Sequence, residues 1–348
     1  MKAVVVAGEG AVRVDEVADP TPTDDGDAIV RVTRSSICAS DLHLLHGKTP
    51  GMRVGGVIGH EFTGVVDAAR GLAGVREGDR VLGSFLIACG RCPACGRGDF
   101  NFCHNRRALG LGALTGDLDG AQAEYVRVPD AAINLKPLSA EAPADEDVLF
   151  AGDVLATGFY AAHLARTETS ESVAVVVGGG PVGLSCALAL GLEPDTRVLL
   201  LDTDPSRVDF AQRAGVETID ISEVDPQAAV AGATNGAMAD VAIEAVGVTP
   251  AFKTAMKCVR DGGRVVVVGV YGTERYELPM GMVWIRGLQL RFSGMANVQA
   301  HWDRAVHAIA DGSIDASFLI THRLPLEEAE RGYELFESRE AMKVVLIP

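Results

Sequence analysis

Cys89, Cys92, Cys95 and Cys103 fall within fifteen residues, CGRCPACGRGDFNFC. Thiolates spaced this closely on a tight loop can surround one metal ion tetrahedrally, and Gly90, Pro93, Gly96 and Gly98 supply the turns. Two disulfides are a poor alternative, because cysteines two residues apart do not pair readily and nothing marks the chain as secreted. An iron–sulfur cluster draws on the same ligand type. The expectation is a closed structural zinc, which has no open position and does no chemistry.

A second group of donors lies elsewhere. Cys38, Ser40, Asp41 and His43 stand in CASDLH, and His60 and Glu61 stand in GHEF. A lone cysteine or histidine is more often a satisfied core residue than a ligand. Thiolate, imidazole and carboxylate in two compact clusters, beside a separate cysteine site, suggest an open metal site instead. Asp153 adds to it as an acid in the apolar run LFAGDVLATG, where an unpaired buried carboxylate would be expensive. Its alternative role is a helix N-cap after Gly152.

The third element is a nucleotide fingerprint, with Gly178, Gly180 and Gly183 in GGGPVG. It follows an apolar strand pattern and opens an apolar helix pattern, the context that gives the motif its meaning. Gly178 permits the tight turn, Gly180 lets the backbone approach a pyrophosphate, and Gly183 lets the helix pack on the strand. Pro181 and Val182 begin that helix, whose free N–H groups favour phosphate. Asp202 ends the next strand, nineteen residues after Gly183, where a carboxylate can accept from ribose hydroxyls and repel a 2′-phosphate. Asp204 adds charge nearby. Arg207 is a complication, because an arginine there could accept a phosphate.

The elements that must position these residues divide by character. Residues 1–155 are strand-rich, with short apolar or alternating runs at 3–6, 29–33, 65–66, 80–82 and 123–128 between Gly, Pro and Asp. This reads as a β-barrel-like domain with long loops. An acidic stretch at 138–147 precedes a helical pattern over 148–164. Strands then alternate with helices through residues 156–295, which predicts a doubly wound parallel sheet. Residues 296–348 return to mixed structure, with an amphipathic helix at 302–310, a glutamate-rich turn near Glu327 and a closing strand at 343–347. They are expected to fold back on the first domain.

With 348 residues, a net charge of −16 and a pI of about 4.9, the chain suits two domains and no basic nucleic-acid or anionic-membrane surface. No apolar run reaches the length of a membrane span, and the start MKAVVVAGEG is too short a core for a signal peptide. Cysteine usage suits a reducing cytoplasm. Cys186 and Cys258 read as inert buried thiols.

Taken together, CASDLH, GHEFTGVV, the four-cysteine loop, GDVLATG, VVGGGPVG and LLLD resemble the zinc-containing medium-chain alcohol dehydrogenases, in the family order. The branch it resembles includes threonine, polyol and bacterial secondary-alcohol dehydrogenases. The resemblance implies a GroES-like β-barrel catalytic domain with an inserted Rossmann domain, NAD as cofactor, and two zinc ions per chain. It makes Cys38, His60 and Asp153 the ligands of the catalytic zinc, with Asp153 replacing a second cysteine, and Glu61 an exchangeable ligand. It puts Thr157 and Val270 on the nicotinamide and Phe85 in the substrate pocket.

The implied chemistry is oxidation of a small alcohol, a secondary alcohol or a polyol. Zinc acts as a Lewis acid and the cofactor takes the hydride. Ser40 would accept the proton and His43 would pass it to solvent, the alternative for both being a polar turn. Asp41 would orient His60. An aldehyde-level reaction and a non-enzymatic NAD-binding role are the competing readings. A homotetramer is expected, with a homodimer as second choice, and the apolar run at 283–290 is the expected interface.

Overall fold

Ser172–Val177 is apolar along most of its length because both of its faces are covered. In the computed structural model, which describes residues 1–69, 74–166, 172–272 and 275–348, this strand sits inside a sheet of six parallel strands. Their order is Glu217–Asp220, Thr196–Asp202, Ser172–Val177, Ala239–Glu244, Val259–Val267 and Gln289–Phe292. The chain winds to one side of Ser172–Val177 and then crosses to the other, which is the doubly wound order of a Rossmann domain. The helices Pro181–Gly191, Pro205–Arg213, Pro226–Ala233 and Thr249–Cys258 each carry proline in the first turn, where its missing N–H costs no helical bond. Val175, Val177, Leu199, Leu201, Val265 and Val267 pack with Phe252 and Met256 in the core of this unit.

The chain divides into two units. One is Thr157–Ala296. The other joins Met1–Ala156 to Asn297–Pro348. The sheet of this second unit runs Ile320–Pro325, Lys343–Ile347, Ala28–Ser36, Glu61–Ala69, Arg80–Gly83 and Leu135–Pro137, with Tyr125–Val128 paired to Ala28–Ser36. The last strand of the chain pairs parallel with Ile320–Pro325 and antiparallel with Ala28–Ser36, at Val345 opposite Ser36 and Leu346 opposite Ser35. The C-terminal return is therefore an interior strand of the sheet and delivers Lys343 into it.

Three expectations change in detail. The pattern over 148–164 is not one helix: Asp145–Val148 and a 3₁₀ turn Leu149–Gly152 precede Val154–Ala165, and Asp153 breaks them with φ −150° and ψ −93°. The break follows from close approach, since a Cβ on Gly152 would stand 2.2 Å from the Gly83 carbonyl oxygen. Apolar composition cannot reveal such a break. The glutamate-rich turn is a 3₁₀ turn, Leu326–Glu328, that leads into a helix, Ala329–Glu337, with Ala329, Gly332 and Tyr333 on its buried face. The apolar run at 283–290 is split: Val283 and Leu288 belong to the core of the parallel sheet, while Trp284 and Ile285 are 78% and 72% exposed.

Candidate active site

Cys38 ends the strand-to-helix turn after Ala28–Ser36 and is the N-cap of the short helix Ala39–Leu45. Asp41, in the first turn, reaches back so that its Oδ2 accepts from the Cys38 backbone N–H at 2.9 Å. Its Oδ1 lies 3.0 Å from His60 Nδ1, a close ion-pair contact rather than a well-aligned hydrogen bond. Neither of those two atoms has a hydrogen-bond partner among the described residues, so this contact is where the Nδ1 proton belongs. The proton on Nδ1 leaves Nε2 as the lone-pair nitrogen.

His60 Nε2 lies 3.3 Å from Asp153 Oδ2, and the Cys38 thiol donates to the same oxygen at 3.5 Å. The three donor atoms fall within 4.8 Å of one another, and all three side chains are buried. Ser40 Oγ is 3.1 Å from His60 Nε2, and Phe85 packs edge-on against the imidazole with ring centroids 5.9 Å apart. His43 follows Ser40 by three residues on the same helix, so the two share a face.

Electrostatics identify what this pocket takes. Burial pulls His60 down, yet Asp41, Asp153 and Cys38 reverse that and hold its pKa well above the imidazole range. Burial pushes Asp153 up, and the His60 contacts outweigh it, so its pKa falls to about 2. Burial raises Cys38, against the pull of Lys343. Two carboxylates and a thiol gathered around one buried imidazole make a site short of a cation. Thiolate, imidazole and carboxylate are a donor set that fits zinc.

Glu61 follows His60 and is fully buried against Asp153. Its Oε2 accepts from Lys343 Nζ at 2.5 Å and from Ser36 Oγ, while Oε1 has no hydrogen-bond partner among the described residues. Burial raises its pKa and Lys343 opposes. Lys343 also donates to the Ile37 carbonyl at 3.1 Å and stands 5.4 Å from the centre of the Phe150 ring.

The four cysteines form the other donor set. Cys92 Sγ is 3.5 Å from Cys95 Sγ and 3.9 Å from Cys103 Sγ, and Cys103 Sγ is 3.5 Å from Cys89 Sγ. Tetrahedral thiolates on zinc stand about 3.8 Å apart, whereas a disulfide needs about 2.05 Å. Backbone N–H groups of Cys95 and His104 lower the Cys92 thiol to about 6, which makes it a ready thiolate.

In the parallel-sheet unit, Gly178 adopts φ +108°, and a Cβ on Gly183 would fall 1.8 Å from the Gly178 carbonyl oxygen. Gly180 is the N-cap of the helix that Pro181 and Val182 begin. Asp202 is nearly buried at its strand end and accepts from the Gly179 N–H at 2.5 Å and the Asp204 N–H at 2.8 Å. Arg207 Nη1 lies 4.0 Å from Asp202 Oδ2. Asp204 caps Pro205–Arg213 through the Ser206 N–H at 3.0 Å, so its carboxylate is already engaged. Thr157 is nearly buried and Val270 is half-exposed.

Residues 24–137 match the alcohol dehydrogenase GroES-like domain, and residues 180–311 match the zinc-binding dehydrogenase domain. A Bacillus subtilis (strain 168) protein named as an uncharacterized zinc-type alcohol dehydrogenase-like protein is 34% identical over 100% of both chains. The chain belongs to the zinc-containing medium-chain alcohol dehydrogenase family. The solved structure of alcohol dehydrogenase TADH from Thermus sp. ATN1 is similar to it with a TM-score of 0.93 and 38% identity, covering 100% of this chain and 99% of that one. An erythritol/L-threitol dehydrogenase of Mycolicibacterium smegmatis is 33% identical over 100% of this chain and 98% of its own.

This alcohol dehydrogenase scaffold carries residues that the sequence did not single out. Lys343 opens the strand Lys343–Ile347, and its signal was a charge at the start of a buried strand. Ser36, Gln122 and Tyr333 had no signal, because serine, glutamine and tyrosine are unremarkable in strand, loop and helix. Tyr271 donates to the Val248 carbonyl at 3.1 Å and packs on Phe252, and Trp284 faces solvent. Among the described residues no single helix is long and apolar enough to cross a membrane.

Proposed function

We propose that the protein oxidises a secondary alcohol or polyol with NAD, using Cys38, His60 and Asp153 as ligands of a catalytic zinc and the four-cysteine loop as ligands of a structural one. The observation that carries the proposal is the convergence of thiolate, imidazole and carboxylate in one buried, cation-seeking site. The polyol class draws support from the similarity to an erythritol/L-threitol dehydrogenase. When bound, zinc supplies Lewis acidity toward the alcohol oxygen and the nicotinamide supplies the hydride acceptor.

The chain's own residues do the rest. Asp41 keeps His60 Nε2 turned to the metal position. Glu61 Oε1 is the spare donor of an exchangeable ligand. Ser40 takes the hydroxyl proton, and His43 passes it outward. Burial, Lys48 and His46 lower the His43 pKa, which favours the neutral imidazole that can accept a proton. Gly178, Gly180, Pro181, Val182 and Gly183 hold the pyrophosphate, Asp202 the ribose, and Thr157 and Val270 the nicotinamide. Phe85 borders the substrate.

The assembly is a homo-oligomer, with a tetramer favoured over a dimer. The half-exposed edge strand Gln289–Phe292, beside exposed Trp284 and Ile285, supports this reading. Seven cysteines without a disulfide support a cytoplasmic location. NADH formation over a panel of secondary alcohols, polyols and aldehydes tests the function: turnover with alcohols supports it, and turnover with aldehydes alone moves the chain to the aldehyde-level reaction.

A further inference from the structure

Behind His60 runs a chain of buried polar groups that ends on the C-terminal return. Gln122 is fully buried, and its backbone is fixed on both sides: its carbonyl accepts from the Val4 N–H at 2.8 Å and its N–H donates to the Ile58 carbonyl at 3.1 Å. Its side-chain Nε2 donates to the Ser36 carbonyl at 3.1 Å and to Asp41 Oδ2 at 3.2 Å. Both partners can only accept, so the amide has one possible orientation. Its Oε1 then needs a donor, and the Tyr333 hydroxyl supplies it at 2.9 Å.

Two glycines make room for this chain. Gly59, immediately before His60, has φ +91°, and a Cβ there would lie 2.3 Å from Gln122 Cγ. Gly332, immediately before Tyr333, lets its helix close on Ile37 and Val344, where a Cβ would already stand 3.0 Å from Ile37 Cδ1. Gly59 thus makes room for Gln122 itself, and Gly332 lets the helix that carries Tyr333 pack closely on Ile37 and Val344.

We infer that Tyr333 and Gln122 are positioning residues for the catalytic metal, acting through Asp41 on His60. The inference rests on Cys38, His60 and Asp153 being the metal's ligands. Asp41 can orient His60 only while its other oxygen is tied down, and Gln122 shares that task with the Cys38 backbone. Removing the tyrosine hydroxyl leaves Gln122 Oε1 without a donor in a dry site, which loosens the amide and weakens its hold on Asp41 Oδ2. Groups that orient a histidine ligand commonly change metal affinity by about 10- to 100-fold.

The test is zinc release to a colorimetric chelator, followed on the fully loaded protein. Two ligand sets should give two phases, and the four-cysteine phase is an internal control. Tyr333→Phe is expected to speed the Cys38-site phase by about tenfold and leave the four-cysteine phase unchanged. Gln122→Glu, isosteric but placing a carboxylate opposite Asp41, is expected to speed it further. With cobalt in the Cys38 site, both variants should shift the visible bands that report its ligand field. A folded Tyr333→Phe or Gln122→Glu protein with wild-type release and an unshifted cobalt spectrum overturns the inference, even if its melting temperature falls. If Tyr333→Phe does not fold, the Gln122→Glu result decides. A wild-type protein with no second zinc phase overturns both the inference and the ligand assignment beneath it.

Discussion

Lys343 Nζ lies 2.5 Å from Glu61 Oε2, and solvent reaches neither side chain. The pair joins the last strand of the chain to the strand that follows His60, so the C-terminal return is part of the wall around Cys38, His60 and Asp153. Burial pulls the Lys343 pKa down, but Cys38, Glu61 and Asp153 together raise it above the ordinary lysine range. The ammonium offsets part of the negative charge that Cys38, Glu61 and Asp153 concentrate.

Lys343→Met should therefore leave Glu61 buried without its cation and cost about 3–5 kcal/mol of stability. Glu61→Gln added to Lys343→Met should recover part of that loss. Denaturant unfolding of the two variants checks this; a Lys343→Met protein as stable as wild type would show that the pair does not balance charge.

The relay makes a pH prediction. His43→Gln should slow alcohol oxidation by roughly tenfold or more, most at low pH where base is scarce. Lys48 is one of the groups that lower the His43 pKa. Lys48→Ala should therefore raise it and move the acidic limb of the pH–rate profile to higher pH. Unchanged profiles in both variants would leave Ser40 and His43 as polar residues of the helix Ala39–Leu45 with no part in a relay.

Much of this site was legible because metal and phosphate chemistry restrict residue type. Cys38, His60 and Asp153 stand out as donors in unusual settings, and Gly178 to Gly183 stand out by spacing. The parallel, doubly wound character of the second sheet also followed from strand and helix alternation, though not the order of its strands. What the sequence withheld was geometry that composition does not encode. The backbone break at Asp153 depends on the approach of Gly152 to Gly83, residues far apart in the chain. Tyr333 was hidden among glutamates because a helix exposes its acids and buries the residues between them. Lys343 reaches Glu61 only because the final strand is inserted beside Ala28–Ser36.

The proposed place of Asp202 on the adenosine ribose makes a prediction about cofactor choice. Charge-assisted bonds to two ribose hydroxyls contribute about 1.5–3 kcal/mol each, and Arg207 offsets part of the repulsion toward a 2′-phosphate. A net preference for NAD of about 2–4 kcal/mol, roughly 30- to 1000-fold in kcat/KM, is expected. Asp202→Ser should narrow or reverse it by freeing Arg207, which sits 4.0 Å from the carboxylate. Equal kcat/KM for NAD and NADP in the wild type would remove Asp202 from the ribose.

The edge strand Gln289–Phe292 makes a prediction about assembly. Phe292 is 63% exposed in the monomer, and Phe292→Lys should weaken any association along that edge. Light scattering at micromolar concentration should give an oligomer for the wild type and a smaller species for the variant. A monomeric wild type contradicts the proposed assembly.

Metal content measured together with activity tests the Cys38, His60 and Asp153 centre most directly. Two donor sets of different character should hold two zinc ions per chain, the all-thiolate one tightly and the mixed one exchangeably. Mild chelation should leave a folded, inactive protein with one zinc, and stepwise return of zinc should restore alcohol oxidation in proportion to the second equivalent. Cys38→Ser should stay inactive with one zinc throughout. Full activity in protein that holds only the four-cysteine zinc would contradict the assignment of Cys38, His60 and Asp153 as the catalytic centre.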